Sequence, residues 1–380
     1  MTDLRVLFYV QHLLGIGHLA RASRIAKAMG DAGMDVTMVT GGMPVAGFPD
    51  ASVQHIALPP LAVGPDGFAG MVDADGQPAT EAYLSRRRDL LLAAFADIRP
   101  DAVITEAFPF GRRQMRFELL PLLDAIAAVR PRPLLLASIR DILQARAKPQ
   151  RDQDTVNLVL THYDRVLVHG DPAFAALKDS FPLAEKIAHR VIHTGLVCPP
   201  APDPSAERFD VVVSAGGGAV GAALVQAAVA AIRLRPRLGP CCIIAGPNLP
   251  EADYDALIDT APSNVTITRF RTDFASLLAS ARLSVSQAGY NTVADILQAG
   301  CRALLIPFAA GGETEQTQRA TLLSRAGRAI MLAEADLDGP AMAAAMDRAL
   351  AQDPLAVTAL AATDGAARTA AILKDLVSRH

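Results

Sequence analysis

The sequence predicts an α/β protein made of two similar domains, each built on a parallel β-sheet covered by helices. Apolar runs of strand length alternate with longer helical patterns along nearly the whole chain, which is typical of βαβ units. A proline-rich stretch interrupts this alternation, which begins again after it. At 380 residues the chain is long enough to form two separate hydrophobic cores.

The composition is that of an ordinary globular enzyme, with 51% apolar and 20% charged residues. The net charge of −3 gives no basis for nucleic-acid binding, which usually depends on a basic surface. The four cysteines lack the spacing of a metal site, so we expect them to be buried and reduced. The N-terminus reads as a strand rather than a signal peptide, and no apolar run reaches the roughly 18 residues that span a bilayer. These features favour a cytoplasmic protein.

The first half is predicted to form one parallel sheet. Strands are predicted at residues 6–10, 35–40, 53–58, 102–105, 134–138, 165–168 and 191–194, and helices at 18–33 and 80–98. Residues 41–78 are rich in glycine and proline and are expected to form loops around one short strand. Ligands of open α/β sheets bind at the carboxyl ends of the strands, so the polar residues that follow each strand are the candidates for a site.

A linker at residues 199–207 contains four prolines and separates the two predicted domains. The N-terminal domain comprises residues 1–198 and the C-terminal domain residues 208–362. The second domain has predicted strands at 209–214, 241–245, 265–268, 283–286 and 303–306. The tail beyond it is rich in alanine and is predicted to be helical.

A glycine-rich loop follows the first predicted strand and opens a helix at Gly15-Ile-Gly17-His18. Glycine lets the backbone turn tightly and approach a ligand, and the N-terminus of a helix offers N–H groups to an anion. His18 is then expected at the sheet edge where ligands bind. The positive end of the helix should lower the pKa of His18 and leave a neutral imidazole that can accept a proton.

Ser214, Gly216, Gly217 and Gly218 form a second loop of this kind after the first strand of the second domain, and we expect it to hold a diphosphate. Both loops match the dinucleotide pattern G-x-G-x-x-G/A, but such a site needs an acidic residue at the end of the following strand. The sequence has Thr-Gly-Gly and Ala-Gly-Pro there, which argues against NAD or FAD. A tight turn without a ligand is the alternative.

Charged residues follow two further strands of the first half. Glu106 follows the strand at 102–105, with Arg112 and Arg113 close behind it, and Arg140 and Asp141 follow the strand at 134–138. Glu106 or Asp141 could accept a proton from an acceptor hydroxyl, and the arginines could hold a phosphate or carboxylate. The alternative is a loop clamp in which Glu106 pairs with Arg112 or Arg113.

Two more polar segments follow strands. His169 is interpreted as structural, because the Asp-Pro pair just after it is typical of the start of a helix. Glu313, Glu315 and Gln316 lie beyond the strand at 303–306, where their acceptor groups would suit the hydroxyls of a donor sugar. A solvated turn is the alternative for this second segment.

The most specific pattern of the chain lies in its second half. It consists of Phe270 and Arg271 at the end of a strand, Gly289-Tyr-Asn291-Thr292-Val-Ala-Asp295 at the start of a helix, and Pro307-Phe308 followed by Glu315-Gln316 and Arg319-Ala320. This order resembles the nucleotide-sugar half of the MurG-like glycosyltransferases of family 28, and the loop before His18 matches their first glycine-rich loop. Asp295 replaces the glutamate of the family's G-x-x-T-x-x-E helix, and Glu315 and Arg319 stand where the family has Gln and Asn. These departures leave the identity of the sugar open.

The resemblance implies a GT-B fold, in which two Rossmann-like domains with parallel sheets face each other across a cleft and residues 363–380 pack back on the N-terminal domain. It implies a metal-independent inverting glycosyltransferase that moves N-acetylglucosamine or another hexose from a UDP-sugar to a hydroxyl acceptor, with no cofactor. Backbone N–H groups and helix dipoles are expected to stabilise the leaving diphosphate. A small-molecule or lipid-linked acceptor is expected, the latter with peripheral contact at the inner face of the membrane, in a monomer or dimer.

The resemblance and the positions of polar residues after the strands together give the candidate site residues. Proton acceptors would be His18, Glu106 or Asp141. Residues of the donor site would be Gly17, Ser214, Gly216, Gly217, Gly218, Phe270, Arg271, Gly289, Asn291, Thr292, Asp295, Glu313, Glu315 and Gln316. Acceptor-binding residues would be Arg112, Arg113 and Arg140.

Other activities remain open on the same scaffold. The loop also resembles the G-x-G-H-x-x-R motif of the nucleotide-sugar hydrolases of pseudaminic-acid synthesis, with Gly15, Gly17, His18 and Arg21 at the matching positions. In that case His18 would activate water. A nonhydrolysing UDP-sugar 2-epimerase is a weaker alternative. An alternative from a different class of protein is a partner subunit that binds a nucleotide sugar and has no activity.

Overall fold

The computed structural model describes residues 4–13, 15–64, 67–144, 149–216, 221–246, 249–353 and 363–380. The chain divides into two compact units, an N-terminal unit of Met1–Val197 with Asp364–His380 and a C-terminal unit of Cys198–Thr363. Within the described residues each unit is built on one sheet of parallel strands, which confirms the predicted α/β class.

The N-terminal unit contains these strands: β1 (Arg5–Val10), β2 (Asp35–Thr40), β3 (Gln54–Ala57), β4 (Ala62–Gly64), β5 (Gly67–Val72), β6 (Ala102–Glu106), β7 (Leu134–Arg140), β8 (Arg165–His169) and β9 (Val191–His193). In the described part of the unit, the parallel sheet has the order β3-β2-β1-β6-β7-β8-β9, and β4 and β5 form a separate antiparallel pair. The strand order reverses between β1 and β6, so the loops that follow these two strands meet at the switch point of the sheet. That is where open α/β sheets bind ligands.

The helices of this half are α1 (Gly17–Asp31), α2 (Glu81–Ile98), α3 (Arg116–Ala128) and α4 (Gln150–His162). They cover both faces of the sheet, because successive side chains of a strand point to opposite faces. In β1, Phe8 packs in the core cluster that contains the apolar face of α1. Its neighbours Leu7 and Tyr9 pack in the other cluster, with residues of α2 and α3.

The C-terminal unit repeats this architecture. Its strands are β10 (Val211–Ser214), β11 (Cys241–Ile244), β12 (Val265–Thr268), β13 (Leu283–Ser286), β14 (Ala303–Leu305) and β15 (Ile330–Met331), and its helices are α5 (Ala222–Arg233), α6 (Glu251–Thr260), α7 (Phe274–Ser280), α8 (Tyr290–Ala299), α9 (Glu315–Arg325) and α10 (Gly339–Leu350). In the described residues of this unit the strand order is β12-β11-β10-β13-β14-β15. The order reverses between β10 and β13, which places the loops after these strands at the second switch point.

The last helix of the chain, α11 (Gly365–Ser378), belongs to the N-terminal unit. Its buried residues Ala370 and Leu373 join the core cluster that contains Ile25 and Met29 of α1. Gly365 begins the helix against the backbone of residues 195–196, where a Cβ would lie 2.5 Å from the carbonyl oxygen of Gly195. Glycine therefore permits the chain to return closely to this unit.

The structure differs from the sequence-based expectations in local details. The β4–β5 hairpin and the short strand β15 were not predicted, because their runs are short and the hairpin is rich in glycine. Asp171 and Pro172 do not begin a helix: the carboxylate of Asp171 accepts a hydrogen bond from the amide of Ala173 at 2.8 Å in a turn, and a short 3-10 helix follows at Leu177–Asp179. The four cysteines are buried and unpaired by disulfides, as predicted. None of the helices in the described residues combines the length and apolar character needed to cross a membrane.

Candidate functional site

A buried carboxylate organises the switch point of the N-terminal unit. Glu106, the last residue of β6, is fully buried. Its Oε1 lies 2.9 Å from Nδ1 of His18 and also accepts a hydrogen bond from Arg21. Its Oε2 accepts a hydrogen bond from Ser138 Oγ at 2.5 Å, because the register of β6 and β7 places Glu106 beside Ser138. The carboxylate thus joins the first turn of α1 to two strands of the sheet.

The charge of Glu106 is fixed by these partners. Burial would raise the pKa of its carboxyl group, but Arg21, His18 and Ser138 lower the pKa to about 2. Glu106 is therefore an anion at neutral pH and a weak base. Its ion pair is with Arg21, and not with Arg112 or Arg113 as in the loop clamp considered above. This arrangement suits a residue that orients His18 better than one that takes the proton itself.

His18 is the second residue of α1, and its side chain retains 19% of its exposure. Its pKa is lowered to about 3, first by burial and then by the charge of Arg112, against the opposing effect of Glu106. The direction of this shift is as predicted from the sequence, but burial and a nearby guanidinium are its main causes. His18 is therefore a neutral imidazole beside a carboxylate, which is the arrangement of a general base and its orienting group.

Two of the three candidate acceptor-binding arginines belong to this group. Arg112 adopts the left-handed conformation at φ 56° and donates from Nε to the carbonyl oxygen of Gln11 at 2.7 Å. Burial lowers the pKa of Arg112 to about 10, partly offset by Glu106 and reinforced by the charge of Arg140. Arg113 instead lies 3.4 Å from the carboxylate of Asp154 on α4. The positive charges that act on His18 are thus those of Arg112 and Arg21, and Arg140 acts on Arg112.

Asp141, the third candidate proton acceptor, is fully buried at the end of β7. Its Oδ1 accepts a hydrogen bond from the amide of Ile142 at 2.8 Å. The backbone of Gly170 lies against it, since a Cβ there would be 2.5 Å from the Cβ of Asp141. Of the three candidates, the partly exposed His18 is the best placed to meet a substrate.

The loop after β10 has the geometry of a close turn. Gly216 has a φ of +75°, a conformation that favours glycine, and its amide donates to Ser214 Oγ at 3.4 Å. The helix start at Gly221 packs so closely that a Cβ would lie 2.3 Å from the Cβ of Ala215. Gly217 and Gly218, predicted to contact the diphosphate, lie outside the described residues.

The turn after β12 presents an aromatic ring to solvent. Phe270 is 65% exposed, the largest value among the exposed large apolar side chains of the described residues. The neighbouring Arg271 is held in place by Asp273, with Nε 2.8 Å from Oδ1, and by Glu207 at 3.1 Å. The side chain of Arg271 therefore braces the turn, and the exposed ring with the adjacent backbone is what this turn offers to a ligand.

Helix α8 begins after β13, at the switch point of the second sheet. Gly289 is its N-cap residue, and a Cβ there would have no atom within 4 Å, so the space above the helix start is open. Asn291, Thr292 and Asp295 are partly buried and share one face of the helix, because residues three and four apart are neighbours. A carboxylate and two polar side chains thus lie beside a helix N-terminus.

The polar residues of the β14–α9 loop are engaged within the unit. Gln316 Oε1 accepts hydrogen bonds from the amides of Ala288 at 3.0 Å and Phe308 at 3.2 Å, which ties the loops after β13 and β14 together. Glu315 forms a salt bridge of 2.7 Å with Arg319. Glu313 Oε1 accepts a hydrogen bond from the amide of Glu315 at 2.9 Å. These contacts hold the loop, where the sequence predicted contacts with a donor sugar.

Sequence reasoning missed the partners that fix His18. The sequence points to Arg21 only through the hydrolase motif, and it gives no reason to select Ser138 over the charged residues that follow it. His169, read as structural, contacts Ser138 at 2.9 Å between Nε2 and Oγ. The signal that could have found Ser138 is its place at the end of a strand next to the strand of Glu106.

The comparison with protein families finds a match in the second half of the chain. Residues 212–375 match the glycosyltransferase family 28 C-terminal domain. A UDP-N-acetylglucosamine--N-acetylmuramyl-(pentapeptide) pyrophosphoryl-undecaprenol N-acetylglucosamine transferase from Gloeobacter violaceus is 33% identical over 137 residues, which cover 34% of this chain and 38% of that relative. The chain spans less than half the length of the curated relatives it matches.

Solved structures are similar over the entire chain. The calicheamicin glycosyltransferase CalG4 has a TM-score of 0.64 at 17% identity and covers 100% of this chain and 98% of its own. MurG of Acinetobacter baumannii has a TM-score of 0.60 at 15% identity and covers 100% of both chains. At this level of identity the similarity shows the fold alone, which is the GT-B fold predicted above.

Proposed function

Residues 212–375 match the glycosyltransferase family 28 C-terminal domain, and from that premise we propose that the chain transfers a sugar from a UDP-sugar to a hydroxyl acceptor. The transfer is an inverting displacement without a metal ion. N-acetylglucosamine is the first donor sugar to test, because it is the sugar in the name of the Gloeobacter violaceus relative. The observation that carries the proposal is the pairing of His18 with the buried Glu106 in a chain that contains this domain.

The donor is assigned to the C-terminal unit. The exposed ring of Phe270 and the adjacent backbone would contact the uracil base. Asp295 on α8 would accept hydrogen bonds from the ribose hydroxyls, the role that an acidic side chain plays in many nucleotide sites of α/β sheets. The loop of Ser214 and Gly216, together with the N-terminus of α8, would face the diphosphate with backbone N–H groups. All of these groups follow the carboxyl ends of strands.

His18 is assigned as the base that accepts the proton of the acceptor hydroxyl. The acceptor oxygen forms a bond to the anomeric carbon while the bond from that carbon to the diphosphate oxygen breaks, and the electron pair leaves with UDP. The acceptor proton passes to Nε2 of His18, because Nδ1 faces the carboxylate of Glu106 at 2.9 Å. Glu106 stabilises the imidazolium that forms, as a buried carboxylate does in a catalytic triad.

The acceptor is expected to carry an anionic group. Burial and Arg112 hold the pKa of His18 at about 3, so the free protein contains a weak base. An acceptor phosphate or carboxylate near Arg112 and Arg140 would offset their charge and raise the proton affinity of His18. A pyrophosphoryl acceptor, as in the name of the Gloeobacter violaceus relative, fits this requirement. If it is lipid-linked, the enzyme would act in the cytoplasm against the membrane surface.

The test is release of UDP from a panel of UDP-sugars, with and without pyrophosphoryl-linked and small hydroxyl acceptors. Release that depends on the acceptor and is abolished by His18→Ala supports the transferase. Release without any acceptor supports the hydrolase related by the motif of His18 and Arg21. Tight UDP binding without release indicates a binding partner, and no binding of any UDP-sugar rejects all three. EDTA should leave the rate unchanged.

A further inference from the structure

A chain of hydrogen bonds extends from His18 into the interior of the N-terminal unit. Nδ1 of His18 lies 2.9 Å from Oε1 of Glu106, and Oε2 of Glu106 lies 2.5 Å from Oγ of Ser138. Ser138 Oγ lies 2.9 Å from Nε2 of His169, and Nδ1 of His169 lies 2.8 Å from Oγ1 of Thr194. Polar contacts thus continue without a break through five side chains.

The interior members of this chain are sealed from solvent. Glu106, His169 and Thr194 are 0% exposed, and Ser138 is 1% exposed. They lie on adjacent elements of the sheet, since β6, β7 and β8 are neighbours and Thr194 follows β9. Buried polar groups are costly unless hydrogen-bonded, and apolar side chains would fill these positions without that cost. We therefore expect these buried polar residues to serve a function at the accessible end of the chain of hydrogen bonds, which is His18.

The direction of the protons along the chain follows from the chemistry of its members. Ser138 has one hydroxyl proton, and the carboxylate 2.5 Å away is an anion because Arg21 pairs with it. Ser138 must donate to Glu106, because a hydroxyl proton directed elsewhere would leave a lone pair of Ser138 facing a lone pair of the carboxylate. Its oxygen then accepts from Nε2–H of His169. Burial holds the pKa of His169 at about 3, so it is neutral, and its Nδ1 accepts from the hydroxyl of Thr194.

The tautomer of His18, at the outer end of the chain of hydrogen bonds, follows from the charge of Glu106. Oε1 of the anionic Glu106 lies 2.9 Å from Nδ1 of His18, so this nitrogen carries the proton and donates it. Arg21 also lies 3.4 Å from this nitrogen, but a lone pair there would face the carboxylate. Nε2 of His18 is then left with the lone pair.

We propose that Ser138 and His169 are positioning residues for the proposed sugar transfer. Their hydrogen bonds, all donated towards Glu106, hold that carboxylate in one orientation, and the carboxylate keeps His18 in the Nδ1–H tautomer with Nε2 as the proton acceptor. The catalytic consequence rests on the proposed function, whereas the tautomers themselves are a property of the free protein. Replacing either residue loosens Glu106 and lets His18 populate the wrong tautomer.

The first experiment measures the tautomers directly, in full-length protein with ¹⁵N-labelled histidine at pH 7 and without substrate. Long-range ¹H–¹⁵N spectra are expected to show His18 protonated on Nδ1 and His169 protonated on Nε2. In Ser138→Ala and His169→Phe, the ¹⁵N shifts of His18 should move towards a mixture of tautomers. His169→Gln, whose amide can donate to Ser138, should retain the wild-type signals of His18.

Ser23→Ala is the matched control, because Ser23 is buried in the same unit and accepts a hydrogen bond from the amide of Asp50 at 2.9 Å. It should lower stability without moving the signals of His18. With a UDP-sugar that is turned over, Ser138→Ala and His169→Phe should lower kcat about tenfold or more with little change in KM for the donor. His169→Gln should restore most of kcat.

Wild-type His18 protonated on Nε2 would overturn the inference, even if no variant folds. So would unchanged His18 signals in both Ser138→Ala and His169→Phe. Failure of the proposed function gives a different result, in which the tautomers are as expected but no UDP-sugar is turned over. Turnover by a protein whose His18 is protonated on Nε2 would reject the positioning role alone.

Discussion

Arg319 and Glu315 form a nearly buried ion pair on one face of α9, with Nη1 of Arg319 2.7 Å from Oε1 of Glu315. Their side chains are 1% and 5% exposed. The same Nη1 donates to the carbonyl oxygen of Ala288 at 3.1 Å, so the pair connects α9 to the loop that leads into α8. This loop precedes the residues assigned to the ribose. Through this pair Glu315 helps to hold the loop that precedes the proposed donor site.

Glu315→Ala should destabilise the protein by about 3–5 kcal/mol, because it leaves the guanidinium of Arg319 buried without its carboxylate. Urea unfolding measures the change. Arg325→Ala on the same helix is the control, since Arg325 is exposed and its removal should change stability by about 0.5 kcal/mol or less. A variant of Glu315 that keeps full stability but loses donor affinity would show instead that Glu315 contacts the sugar.

The sequence was sufficient to predict the repeated βαβ pattern and the polar residues at the ends of the strands. Strand β13 lies at the predicted residues, where Leu283 and Val285 alternate with two serines before a small-residue turn. The candidates His18, Glu106 and Arg112 come together for the same reason, since the carboxyl ends of neighbouring strands meet at one edge. The order of strands along the chain is enough to predict which residues lie at this edge, even when the order of the strands within the sheet is not known.

The partners of these residues could not be predicted. Glu106 pairs with Arg21 and Ser138, and that choice depends on the register of β6 and β7 and on the direction of α1. The sequence likewise does not show that Glu315 pairs with Arg319 and that Oε1 of Gln316 accepts hydrogen bonds from backbone amides. Sequence pattern identifies polar residues near an edge, and packing decides whether each one faces a ligand or the protein.

Asp295→Ala should weaken UDP binding by about 1–3 kcal/mol, through loss of a charge-assisted hydrogen bond to the ribose. Isothermal titration with UDP measures the affinity. Asp259→Ala, which removes an exposed carboxylate from α6 of the same unit, should leave the affinity unchanged. Equal UDP affinity in both variants would remove Asp295 from the donor site.

Arg112→Gln should raise the pKa of His18 from about 3, because the positive charge of Arg112 disfavours the imidazolium. The pKa is measured by an NMR pH titration of the imidazole signals. Arg113→Gln is a neighbouring control that removes the same charge, but Arg113 is paired with Asp154 and should leave the pKa of His18 unchanged. Equal shifts in both variants would show that net charge, and not the position of Arg112, sets the pKa.

The buried histidines should make the N-terminal unit sensitive to acid. Burial lowers the pKa of His169 to about 3 in the folded state, whereas an unfolded histidine titrates near 6.5. Between these values only the unfolded state binds the proton, so stability falls as pH decreases through this window, by up to about 1.4 kcal/mol per pH unit. Urea unfolding from pH 7 to pH 4 should show a shallower dependence for His169→Gln. Ser23→Ala, which removes no titrating group, should keep the wild-type dependence.

Gly42→Ala should destabilise the loop beside the candidate site by about 1–3 kcal/mol. The ring of His12 lies against Gly42 so closely that a Cβ would be 2.3 Å from Cε1. The ring cannot move away easily, because Nε2 of His12 donates to the carbonyl oxygen of Met43 at 2.9 Å. Gly30→Ala is the opposite case: its Cβ would meet no atom within 4 Å on the exposed side of α1, so thermal unfolding should show a gain of about 0.5–1 kcal/mol. A gain for Gly42→Ala as well would mean that the loop shifts at no cost and that His12 does not hold it.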